Sequence, residues 1–169
     1  MRRFVIAAVM AWPLSLSASA DLERSGMPDP VQLGEATIRW LGAPIYDASL
    51  YTTGGGAFRW QAPMALQLAY RRGFSGAQLL DATMQEIRRI EGDRADHAKL
   101  GRDLEACYRD VGRGDAITAV SKGANDLSLW MNGSRLCALD MPNIQQRFLG
   151  IWLSPQSRIA RLGLRLRGQ

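Results

Sequence analysis

Apolar and polar residues alternate along three early stretches of the chain. From Glu35 to Leu41, Ala36, Ile38 and Trp40 fall on one side, and Thr37, Arg39 and Leu41 on the other. From Ala62 to Tyr70 the same rhythm puts Met64, Leu66, Leu68 and Tyr70 on one face. A period of two predicts β-strands. Ile45 to Tyr51 forms a strand between them, bounded by the turn signal Gly42-Ala43-Pro44 and the loop Thr53-Gly54-Gly55-Gly56. No Gly-Lys-Ser/Thr follows those glycines, so the run is not a phosphate-cradling loop.

The period then lengthens. Leu79, Thr83, Ile87 and Ile90 recur at helical spacing after Ser75, and Gln78 stands three places on, completing a Ser-x-x-Gln capping box. Gly92 stops that helix. A second helix is predicted over Asp96–Tyr108, with Leu100, Leu104 and Cys107 inward and His97 near its start. Ile117–Val120, Leu127–Met131 and Arg135–Leu139 read as strands, the last two joined at Asn132-Gly133, a type I′ hairpin signal. A short helix follows Pro142, and a final one spans Ser157–Leu166. Strands, then helices, then strands, then helices predict an α+β domain.

The ends of the chain carry different signals. Arg2 and Arg3, an apolar run from Phe4 to Leu16, and Ala18-Ser19-Ala20 match a secretory leader cleaved after Ala20. The run is too short to span a bilayer, which needs about 20 apolar residues. The expected domains are a leader over 1–20, an extended lead over 21–33 and a folded domain over 34–169, with a periplasmic destination. Loss of Arg2 and Arg3 lowers 21 Lys+Arg to 19 against 16 Asp+Glu, so the mature charge is +3. The basic residues Arg158, Arg161, Arg165 and Arg167 read as a solvated helix face, so no nucleic-acid partner and no integral membrane segment are expected. Cys107 and Cys137 leave two readings open, a disulfide permitted outside the cytoplasm or two buried thiols. One histidine and no Cys-x-x-Cys give no metal site. His97 reads as a packed or surface residue, and no cofactor is expected.

Four ordered stretches resemble the chalcone isomerase-like family in its bacterial exported branch. They are IRWLGAPIYDASLY (38–51), LQLAYRRGFSGAQLLDATMQEIRRI (66–90), LWMNGSRLCALD (129–140) and FLGIWLSP (148–155). The resemblance implies an open-faced β-sandwich, a long antiparallel sheet with helices layered on one face. It implies either flavanone ring closure or non-catalytic fatty-acid binding. It maps the family's shared arginine to Arg39 and puts Tyr46 where the plant isomerases carry threonine and the fatty-acid binders a tyrosine. The isomerases' other tyrosine and asparagine find no match, since Tyr108 and Asn125 lie outside the alignable stretches.

An even-membered hairpin loop, four residues given Pro44, places Arg39 directly opposite Tyr46 on one face. A guanidinium beside a phenol suits a carboxylate. The expected ligand is therefore a small amphipathic anion such as a fatty acid, held by Arg39 and Tyr46, with the helix after Ser75 walling its tail. Two alternatives stand beside it: an intramolecular lyase, and a protein-interaction module without a ligand site. Glu35 shares the parity of Arg39, so an ion pair on a wet sheet face is the competing arrangement.

Overall fold

A computed structural model describes residues 16–169. Most of the expected leader lies outside them. The elements run α1 (Leu16–Ser25), β1 (Pro30–Trp40), β2 (Ala43–Thr53), β3 (Met64–Tyr70), α2 (Gly76–Glu91), α3 (His97–Cys107), β4 (Ala116–Ser121), β5 (Asp126–Met131), β6 (Ser134–Asp140), α4 (Ile144–Leu153) and α5 (Ala160–Leu166). The six strands form one antiparallel sheet in the order β1-β2-β3-β4-β5-β6. The α+β class and segregated element order read from the sequence are what the chain adopts.

Period-two alternation sorts the strand residues to two faces. Ala48 and Leu50 of β2, Leu66 and Leu68 of β3, Ile117 and Ala119 of β4 and Leu129 of β5 join Ile87, Leu104, Phe148 and Leu153 from the helices in the main core. Ser75 caps α2 with the expected reciprocal box, its Oγ accepting from Gln78 N and Gln78 Oε1 accepting from Ser75 N. Asn132 and Gly133 both take positive φ, 49° and 86°, as a type I′ turn requires.

The other face is not bare. Leu22 and Met27 pack there on Ala65 and Val120, with Tyr51 and Trp130 beside them. Asp21, fully buried, accepts a hydrogen bond from Thr118 Oγ1 at 2.7 Å and another from the Gly133 amide. The segment 21–33, expected as an extended lead, is therefore the second half of α1, a turn and the start of β1. Its helical order comes from contacts with β3, β4 and the β5–β6 turn, which no local periodicity encodes.

Side-chain and covalent ties hold the helices together. Arg147 of α4, with only 4% of its side chain exposed, donates to both Glu91 carboxylate oxygens at 3.2–2.7 Å and to Asp96 at 2.8 and 3.1 Å. His97 Nε2 lies 2.7 Å from Glu91 Oε1, so His97 is a buried structural residue joining α3 to α2. Cys107 and Cys137 are disulfide-bonded with Cα atoms 5.2 Å apart, fastening α3 to β6. α5 crosses β1 at Gly34, where a Cβ would stand 2.2 Å from the Arg165 carbonyl oxygen.

Candidate functional site

The β1–β2 hairpin decides where the two expected ligand residues point. Leu41 and Gly42 form a two-residue turn, both at positive φ (47° and 81°), and Trp40 pairs with Ala43. Arg39 then pairs with Pro44, while Ile38 pairs with Tyr46, so Ile45 is an extra residue in β2. Such a bulge shifts every later pair by one residue. The expected Arg39–Tyr46 opposition is therefore not formed, and the two side chains lie on opposite faces. A left-handed leucine in the turn is a disfavoured choice that composition does not announce.

Arg39 is exposed and donates to the Gly42 carbonyl at 3.0 Å. With Glu35, Thr37, Asp47, Arg71 and Arg165 it borders an open polar groove on the surface. Asp47 there accepts from Thr37 Oγ1 and from Arg71 Nε, both at 2.7 Å. Glu35 is bonded to Gln32 Nε2 at 3.2 Å rather than to Arg39. The groove is wet and charged, unlike the apolar setting expected around Arg39.

Tyr46 points the other way, into a partly enclosed cavity of about 120 Å³ between the sheet and the helix layer. Leu66, Leu68, Ile117 and Ala119 floor it, and Leu79, Ala82, Thr83, Phe148, Ile151 and Trp152 roof it. α2 thus contributes to the wall as expected, through Leu79, Ala82 and Thr83. Amphipathic periodicity puts Thr83 inward on α2, with Leu79 half-buried and Ala82 exposed at its edge, as it puts Phe148, Ile151 and Trp152 inward on α4.

Three phenols share this cavity: Tyr46, Tyr70 and Tyr108. Trp152 Nε1 donates to the Tyr46 hydroxyl at 2.9 Å. That hydroxyl accepts, and its own proton stays available. Tyr108 OH and Thr83 Oγ1 are 2.7 Å apart. Tyr70, 5% exposed, stacks at a tilt against Tyr46 with ring centroids 5.6 Å apart, and its hydroxyl has no hydrogen-bond partner among the described residues. Burial pushes the Tyr46 hydroxyl up to about 12. Burial, followed by the neighbouring phenols, holds Tyr70 well above the usual tyrosine range, and burial likewise raises Tyr108. All three are protonated at neutral pH and present O–H groups to an otherwise apolar space. None of the lining residues carries a charge.

Tyr108 and Asn125, both outside the alignable stretches, part company here. Tyr108 lines the cavity, whereas Asn125 accepts from the Asn143 amide at 2.9 Å in a surface connection. Tyr70, Tyr108 and Trp152 were missed as site residues. The available signal was Tyr70, a polar-tipped residue on the apolar face of β3. Trp152 meets Tyr46 across 106 residues, a separation no local pattern bridges.

Among solved structures, the chain resembles a fatty-acid binding protein of Arabidopsis thaliana, AtFAP1. The TM-score is 0.64 at 12% identity, covering 83% of this chain and 87% of that one. The fold is chalcone isomerase-like. No family model matches the sequence, and no curated protein matches it. At 12% identity the likeness speaks for the chalcone isomerase-like fold alone. In this chain the bulge carries Arg39 to the surface groove, and the phenols line the cavity.

Proposed function

We propose that this protein is an exported, non-catalytic binder of a small amphipathic molecule. The molecule's apolar body occupies the cavity between sheet and helices, and its polar end meets the phenols. The observation that carries the reading is the cavity itself: apolar walls with a few convergent hydroxyls, the usual composition of a ligand site. The structural neighbour, named as a fatty-acid binding protein, is consistent with it. Arg39 has no part in this site, so the expected carboxylate anchor is withdrawn while the binder reading stands on Tyr46.

The same geometry weighs against the lyase. Ring closure leaves negative charge on an oxygen, and the fold's arginine would have to stabilise it. Here Arg39 faces solvent, and the Tyr46 phenol, pushed up to about 12 by burial, stays protonated at neutral pH. The interaction-module reading has one observation in its favour. Trp40 (64%) and Leu41 (93%) are exposed together at the hairpin tip.

Export is supported from two directions. The Cys107–Cys137 bridge belongs to an oxidising compartment. Asp21, Leu22, Ser25 and Met27, buried against the sheet among the described residues, follow Ala20 and are kept after cleavage there. The test is native mass spectrometry of mature protein purified from the periplasm. The expected result is a co-purifying small molecule that is retained by Arg39→Ala and lost in Ala119→Leu, which enlarges a buried side chain on the cavity floor. Retention in Ala119→Leu together with loss in Arg39→Ala would move the site to the surface groove.

A further inference from the structure

The tip of the β1–β2 hairpin takes no part in the cavity and is apolar. Trp40 is 64% exposed there and Leu41 93%. Single exposed apolar residues are ordinary on a protein surface. This pair is not, because Leu41 is also held at φ 47°. A two-residue turn with both φ positive is the place for asparagine, aspartate or glycine. Leucine strains the backbone there, and in water its side chain recovers none of that cost. Strained positions of this kind cluster where they serve a function.

The surroundings of the tip are basic. No acidic residue stands between Glu35 and Asp47 in the chain. Exposed Arg39 directly precedes Trp40. The Arg71 amide donates to the Ile45 carbonyl at 2.8 Å, so Arg71 and Arg72 follow β3 beside the tip. The Gly114 amide donates to the Tyr70 carbonyl at 2.9 Å, which brings Arg113 to the same end of the sheet. Arg39, Arg72 and Arg113 are exposed, and no salt bridge among the described residues involves them. The aspartates nearby are engaged. Asp47 accepts from Thr37 and Arg71, Asp110 from the Gly76 amide, and Asp115 from the Gly112 amide and the Asn132 side chain.

Area and charge together choose the partner. Two side chains fall far short of the roughly 800 Å² per partner that a stable protein interface buries. A lipid surface needs only a small apolar wedge with basic flanks. Tryptophan settles at headgroup level, leucine reaches the acyl boundary, and each arginine gains from anionic headgroups. We propose that the hairpin tip docks this protein on an anionic lipid surface, with Trp40 and Leu41 inserted at the interface and Arg39, Arg72 and Arg113 facing the headgroups. The contact is peripheral, since no described helix is long and apolar enough to cross a membrane.

Flotation of the purified protein with vesicles of phosphatidylglycerol and phosphatidylcholine in equal parts tests it, against vesicles of phosphatidylcholine alone. Every variant keeps the wild-type N-terminus, so differences between them belong to the tip and its flanks. The wild type should float with the anionic vesicles and bind the neutral ones far more weakly. Leu41→Asn should weaken binding about tenfold, the worth of about two buried methylenes. Its melting temperature should hold or rise, because asparagine suits the turn. Arg72→Gln combined with Arg113→Gln should weaken binding about 25-fold, about fivefold for each arginine near an anionic surface. High salt should erase that second difference. Absence of vesicle binding, equal binding to neutral vesicles, or binding unchanged by both Leu41→Asn and Trp40→Ser would overturn the proposal. Self-association that Leu41→Asn abolishes, without vesicle binding, would give the tip to a second copy of the chain and overturn it too.

Discussion

Arg147→Met tests how the helix layer that roofs the cavity is held. The guanidinium is almost fully buried and makes five N–H···O contacts to Glu91 and Asp96. Methionine keeps the aliphatic length and removes the charge. Glu91, 15% exposed in its side chain, is then left with His97 and the more distant Arg94. Breaking one side of a buried ion pair costs about 3–5 kcal/mol, chiefly through the charge left behind. Asp96 is a third exposed and water takes over its solvation, so the lower end applies, about 3 kcal/mol. For a domain of this size that is a fall of about 6–12 °C in melting temperature. Urea denaturation of wild type and variant measures it, with equal m-values required. Adding Glu91→Gln to Arg147→Met should recover part of the loss, since no carboxylate is then stranded. A loss below about 1 kcal/mol for Arg147→Met would refute the reasoning and make the network a solvated surface pair.

Three further outcomes are expected. Gly34→Ala sets a methyl against the Arg165 carbonyl at a distance backbone cannot tolerate, so α5 must lift from β1 at about 1–3 kcal/mol, measurable by thermal melting. Reduction of Cys107–Cys137, which closes a loop with a sequence separation of 30, should cost about 3.6 kcal/mol on a chain-entropy basis, read from denaturation with and without reductant. Asp96 is held below the usual carboxylate range by hydrogen bonds from Arg147, and Glu86 by those from Arg89. Their contribution is therefore fully present above the unfolded pKa of about 4 and is lost as pH falls through the lower folded values. Melting temperature should hold from pH 7 to 5 and decline below 4, with a shallower decline in Arg147→Met.

Much of the framework was legible because it is written locally. The Ser75–Gln78 box, the Asn132-Gly133 turn and the face shared by Leu66, Leu68 and Tyr70 each follow from backbone geometry within a few residues. What escaped depends on contacts distant in the chain or on a choice the local residues disfavour. The helical course of Asp21–Ser25 comes from burial of Asp21 and Leu22 against Thr118, Gly133 and Val120. The hairpin register turned on Leu41, which takes a positive φ more natural to glycine or asparagine, and on the extra residue Ile45. One residue of slip is enough to carry Arg39 from a cavity to a groove. Tyr46 kept its place because its phenol is fixed from the far side by Trp152.

The most direct measurement is a crystal structure of mature protein purified from the periplasm with its co-purifying small molecule. The account requires density for that molecule between Tyr46, Tyr70 and Trp152. Density confined to the groove beside Arg39 and Arg71, with the cavity unchanged, would contradict it.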